Sequence, residues 1–223
     1  YYKLTPVQFF ASIIFFAVSG LIWLYILNRR NQSIDLAIDL EDVKIRSKME
    51  TSIWIVLFVI IVLSVFNIIS YITALILTLG VTFTVNRKLV YEIDYLLLMT
   101  FICFFIFIGN VSAIPAITNY MKASLSSSIS TYFSSIILSQ FISNVPCSIF
   151  LSRFTSNWRE LLLGVNIGGM GTLIASLASV ISFKLFTREN PGSSRKYILK
   201  FTAYNVISLL IFTVINYFVV IYG

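Results

Sequence analysis

The 223-residue chain contains no histidine. Imidazole metal ligands, and the side chain most used for proton transfer near neutral pH, are therefore missing. Charge is scarce: 11% of residues carry it, against about 25% in soluble domains. Acids number nine, and none lies deep in an apolar run; Glu92, Asp94, Glu160 and Glu189 all stand at run ends. That removes a proton-carrying carboxylate from the apolar interior. It also leaves a membrane-embedded enzyme without a reacting group at depth, so the chain is read as no enzyme. Two cysteines, Cys103 and Cys147, lie in separate runs and form neither a disulfide framework nor a metal spacing. Both read as small buried hydrophobes.

What the chain has instead is apolar sequence. Hydrophobic residues make up 58% and aromatics 16%, and mean hydropathy is +0.93. The runs 7–27, 53–66, 95–109, 161–183 and 201–222 approach the roughly 20 residues that cross a bilayer. The net charge of +7 does not point to nucleic acid, because no recognition motif accompanies it and the basic residues sit between the runs. Residues 28–50, 86–94 and 184–200 hold five, two and five of them; Lys3, Lys122, Arg153 and Arg159 are the other four. This bias places the first three loops in the cytoplasm and the C-terminus outside, in an integral, multi-pass plasma (inner) membrane protein. Tyr1 is not Met, and the run 7–27 leads through Trp23-Leu24-Tyr25 to Arg29-Arg30. That pattern is a membrane anchor, not a cleaved signal, and the chain is expected to belong to a longer protein.

The domain layout follows from run lengths. Residues 28–50 are a cytoplasmic linker with a short interfacial helix. Residues 51–85, as one helix, would extend about 50 Å at 1.5 Å per residue, too far for a core of about 30 Å. They turn back at 67–71, and 51–122 form the scaffold spans, the third ended by Gly109-Asn110 and Pro115. Residues 123–154 hold eleven serines. Their second arm is too short to cross, so they form a re-entrant hairpin with its tip at Ser143–Pro146. Residues 160–186 are long enough to span but carry Gly164, Gly168, Gly169 and Gly171, each about 1 kcal/mol worse than Ala in a helix. They read as a broken helix, followed by a last span at 197–222.

Two interrupted segments carry the chemistry: Ser143-Asn144-Val145-Pro146 and Gly164-Val165-Asn166-Ile167-Gly168-Gly169-Met170-Gly171-Thr172. Broken helices at membrane depth are tolerated where they are buried in protein or line a cavity, and paired interruptions point to a transport site. A helix starting at depth offers unpaired N–H groups and a positive dipole end, an anion site without charged side chains. Pro146 suits a first turn; Ser143 and Asn144 are capping types; Thr172 is expected to cap the second half of the broken helix. Free carbonyls at the opposite half-helix ends, with Ser143, Asn144, Asn166 and Gly168, make a candidate Na⁺ site. No other cofactor is implied. Two plainer readings stay open: Gly164–Gly171 as a close helix-packing face, and the serines of 124–135 as interhelical hydrogen-bond partners.

These two motifs, about twenty residues apart, resemble the ion transporter superfamily. That group takes in arsenite-efflux permeases, sodium–proton antiporters of the same fold and divalent-anion sodium symporters, and the chain is most similar to its citrate-transporter-like permeases. The resemblance covers 51–223 as one repeat, with 1–27 as the last helix of a preceding repeat. It implies a dimeric elevator transporter of two inverted repeats, with Ser143, Asn144, Val145, Pro146, Asn166, Gly168, Gly169, Gly171 and Thr172 holding a small anion and its coupling ion. Ser143 and Asn144 match the first two residues of the Ser-Asn-Thr signature of dicarboxylate symporters. Val145 stands where that signature has Thr, so one carboxylate-binding hydroxyl is missing. The antiporter branch uses a hairpin acid, which this hairpin lacks; the arsenite branch accepts Asn-x-Pro.

The reading is therefore an all-α polytopic membrane protein, one inverted-repeat half with a re-entrant hairpin and a broken transmembrane helix. Its function reads as sodium-linked symport of a small anion, with the lipid bilayer, an N-terminal repeat and a second protomer as partners. An arsenite-type permease or cation/proton antiporter of the same fold, and a non-transporting scaffold or accessory subunit, are the alternatives.

Overall fold

A computed structural model describes residue 2, residues 4–29 and residues 47–222. Most of the linker 28–50 lies outside the described residues. Among those described, every regular element is helical. Three helices are long and apolar enough to cross a membrane: α1 (Pro6–Arg29), α2 (Lys48–Val65) and Ser194–Phe218 of α11 (Ser194–Tyr222). The chain is a polytopic membrane protein.

The described residues fall into two compact units. The smaller, within 31–101, holds α2, α3 (Tyr71–Val85) and the single turn α4 (Lys88–Tyr91). Ser47 caps α2, its hydroxyl accepting the Glu50 N–H at 3.3 Å. The chain reverses after α2 through Asn67 at φ 58°, a left-handed position that Asn tolerates better than most side chains. Leu57 and Ala74 are the buried residues of this pair.

The larger unit takes in 1–30 and 102–223. α5 (Tyr95–Val111) runs into α6 (Pro115–Ser124) through a 92° bend, with Pro115 in the first turn of α6. Gly109 and Asn110 do not end α5, which continues to Val111. α7 (Ser128–Ile142) and α8 (Asn144–Leu151) form a helical hairpin around Ser143. The hairpin begins at Ser128 because a capping box of Ser127 and Ser130 starts α7 there; residues up to Ser124 belong to α6. α9 (Trp158–Gly168), a short 3-10 turn at Leu173–Ala175 and α10 (Leu177–Glu189) follow. Helices α10 and α11 reach into 184–200 beyond the apolar runs, since Lys, Arg and Glu are good helix formers and a helix need not stop where lipid does.

The core lies where α7, α8, α9 and α11 meet. One cluster is Leu125, Cys147, Leu151, Phe154, Leu161 and Val165. The other is Tyr132, Ile136, Leu163, Ile167 and Phe212. The Tyr132 hydroxyl donates to Thr213 O at 3.0 Å. α1 joins this second cluster through Phe16 on Phe212, ring centroids 5.5 Å apart, and through Trp23, whose indole N–H donates to Ser208 Oγ at 2.8 Å.

Candidate functional site

The glycines of α9 divide into two kinds. Gly164 and Gly168, one turn apart, lie inside the helix and face α7. A Cβ on Gly164 would sit 2.7 Å from Ser135 Cβ and from Tyr132 O; one on Gly168 would sit 2.7 Å from Ser139 Cβ. Ser135 and Ser139 are fully buried, and their hydroxyls donate to Thr131 O at 2.6 Å and Ser135 O at 2.7 Å on their own helix. This is a small-residue seam of the kind that lets membrane helices approach closely. The packing-face reading thus holds for the first two glycines, and the helix does not break at them.

The break begins at Gly169. Gly171 adopts φ +100°, a conformation that calls for glycine, and a Cβ there would displace Gln140 Oε1 from its place. Thr172 caps no helix with its side chain. Its hydroxyl donates to Gln140 O at 3.1 Å, and its N–H donates to Gln140 Oε1 at 3.0 Å. Ser176 takes the capping role expected of Thr172: its Oγ accepts the Ala178 N–H at 3.2 Å as α10 starts.

Gln140, which the sequence reading passed over, is the hub of this region. Its Nε2 donates to Gly168 O at 2.7 Å and to Met170 O at 3.1 Å, with Ile136 O at 3.2 Å as an own-helix acceptor. Two protons serve three acceptors, so one is shared. The side chain bridges the hairpin to both sides of the break. Its signal was faint in the sequence: one long amide on a serine-rich arm, with partners 28 to 32 residues away.

The hairpin tip lies against the same break. Ser143 has φ 70° and ψ 151°, a region otherwise almost confined to glycine and worth about 1–3 kcal/mol of strain. Its Oγ is 3.4 Å from Ala175 O. Asn144 Nδ2 lies 2.9 Å from where a Gly169 Cβ would be. The structure therefore brings together Ser143, Asn144, Gly168, Gly169, Gly171 and Thr172. Val145 points away and is 48% exposed. Asn166 turns its amide back on its own helix, Nδ2 donating to Leu162 O at 2.7 Å.

The donor inventory at the start of α8 is small. The Val145 N–H is taken by Asn144 Oδ1 at 2.9 Å, and the Cys147 N–H closes on Ser143 O at 3.0 Å. Pro146, in the same first turn, has no N–H. Asn144 is left with two donors, its backbone N–H and Nδ2, that meet no acceptor among the described residues. On the carbonyl side, Gly168 O and Met170 O are held by the Gln140 amide. A cation at Gly168 would compete with Gln140 for that oxygen or use its second lone pair.

No family model matches the chain, and no solved structure matches it. Among curated proteins, a relative from Methanocaldococcus jannaschii named an uncharacterized transporter is 33% identical over 186 residues, which cover 83% of this chain and 50% of that protein. The chain is similar to that protein and spans about half its length.

Proposed function

We propose that this chain is one half of a secondary transporter of a small anion, with the hairpin tip and the break after α9 forming its share of the site. The carrying observation is Asn144. Its two free donors stand beside Gly169, at a helix start flanked by no carboxylate in the hairpin. Both donors and the α8 dipole favour negative charge. The similarity to a protein named a transporter supports the class. A binding surface of amides and hydroxyls, with no acid among its residues, favours sodium coupling over a proton relay. The further parts of this reading are an elevator motion, a homodimer, and completion of the site by a second, inverted repeat. The hairpin would be re-entrant, and 28–50, 86–94 and 184–200 would face the cytoplasm.

Uptake of radiolabelled dicarboxylate and oxyanion panels into proteoliposomes, by the full-length protein with and without a sodium gradient, tests the reading. Asn144→Ala is expected to lower uptake of the transported anion at least tenfold with an unchanged melting curve. Undiminished uptake by that variant removes Asn144 from the site.

A further inference from the structure

α10 and α11 are joined by a four-residue turn, and a cavity of about 370 Å³ lies beside it, lined by Phe186, Ser193, Lys196, Tyr197, Lys200 and Phe201. Its walls differ in chemistry. One is aromatic and fixed: Tyr197 stacks on Phe201 at 5.5 Å between centroids and 15° between planes, and meets Phe186 at 4.7 Å. The Tyr197 hydroxyl is 2.8 Å from Ser182 Oγ. The other wall is cationic. Lys196 and Lys200 are one turn apart on α11, and both are exposed. Neither meets a carboxylate among the described residues; Glu189, the acid closest in sequence, does not line the cavity.

The first turn of α11 starts beside the cavity, at Ser193. The Tyr197 N–H is the donor that closes the first turn of α11 on Ser193 O, at 2.9 Å. The N–H groups of Ser194, Arg195 and Lys196 precede it and have no helical acceptor. Two lysines and Ser193 thus line a space whose other lining residues are Phe186, Tyr197 and Phe201. A small soluble anion would use only the polar part. The aromatic shelf gains from an occupant with an apolar part next to its charge. Position agrees: the cavity lies at the end of a candidate span, Ser194–Phe218, where headgroups and aromatic belts coincide, and basic pockets between membrane helices accept lipid phosphates.

We infer that this cavity binds an anionic phospholipid. Lys196, Lys200 and Ser193 hold its headgroup phosphate, and Phe186 and Phe201 receive the glycerol and first acyl carbons. The site is separate from the hairpin and does not depend on what is transported.

Native mass spectrometry of the full-length protein in mild detergent, titrated with phosphatidylglycerol or phosphatidylcholine, tests it. The wild type is expected to retain phosphatidylglycerol at least tenfold better than phosphatidylcholine. K196Q/K200Q is expected to lose that preference while keeping its melting temperature. K200Q alone, a single exposed change, serves if the double variant does not fold, and is expected to weaken phosphatidylglycerol retention about threefold. Equal retention of phosphatidylglycerol by wild type and variant overturns the inference, as does a wild type without headgroup preference. Inorganic phosphate binding that K196Q/K200Q abolishes, with no lipid preference in the wild type, marks a free-anion pocket and equally overturns it.

Discussion

The pair α2–α3 and the assembly of α7, α8 and α9 are both helical and both rich in small hydroxyl residues, yet the second adds polar bonds that pass from one element to another. In α2 and α3 the hydroxyls that bond stay private: Ser52 donates to Lys48 O, Thr82 to Thr78 O and Thr84 to Val81 O, each on its own helix, while the buried Thr78 hydroxyl has no partner among the described residues. Their outward faces are Ile, Val, Phe and Leu, as lipid requires. Around the hairpin, polar groups cross between elements: Gln140 to Gly168, Met170 and Thr172, Asn157 to Thr131, Thr155 to Leu125 O. Without a hydrophobic drive between helices in lipid, such bonds, averaging about 0.6 kcal/mol, and close van der Waals contact must supply association. The lesson is that serine content does not identify a site. What distinguishes the hairpin is where the acceptors lie.

The sharpest way to break the contrast is glycine. Gly168→Leu must push α7 off α9, at about 3 kcal/mol or more, and full-length protein is expected to lose its monodisperse peak in size-exclusion chromatography. Gly80→Leu on α3, where a Cβ would meet nothing within 4 Å, is expected to stay within about 0.5 kcal/mol of wild type.

Next is the polar network. Gln140→Ala leaves the Thr172 N–H and two carbonyls without partners. At about 1–3 kcal/mol per buried orphan, reduced here by partial exposure, a loss of about 2–3 kcal/mol and of uptake is expected. Thermal melting and proteoliposome uptake check both. Ser52→Ala, the private counterpart, is expected to change neither. Leu57→Ala in the α2–α3 pair is expected to cost about 1 kcal/mol, below the range for water-soluble cores, because lipid replaces much of the lost contact. Ser143→Gly has the opposite sign. It relieves the strained backbone and is expected to raise stability by about 1 kcal/mol, while uptake falls because the hydroxyl is gone.

Much of the fold was legible because lipid makes punctuation loud. Pro146, Pro115 and the glycines stand out in apolar runs, and the length of 51–85 demanded the turn that Asn67 makes. Helix ends were legible only to within a few residues, since capping by Ser127 and Ser176 fixes them locally and Thr172 looks equally fit on paper. In the candidate site, Ser143 and Asn144 were visible as breakers beside a proline. Four glycines in a row of eight residues could not be sorted by composition. Only the positions of Ser135 and Ser139 separate the two that pack from the two that break. Gln140 was invisible because its role is defined by partners far along the chain.

Those distant partners have a consequence in time. Gln140 is made 28 residues before Gly168, which at about 5–20 residues per second is roughly 1.5–6 s of synthesis. During that interval α9 is not yet complete. Ser135 and Ser139 already have Thr131 O and Ser135 O to bond, and Gln140 has Ile136 O. These three side chains thus have acceptors within their own helix and need not stay bare while α9 is being made. When α9 and the break after it arrive, the Gln140 amide adds Gly168 O and Met170 O to the Ile136 O it keeps, so one side chain records the docking of the hairpin onto α9.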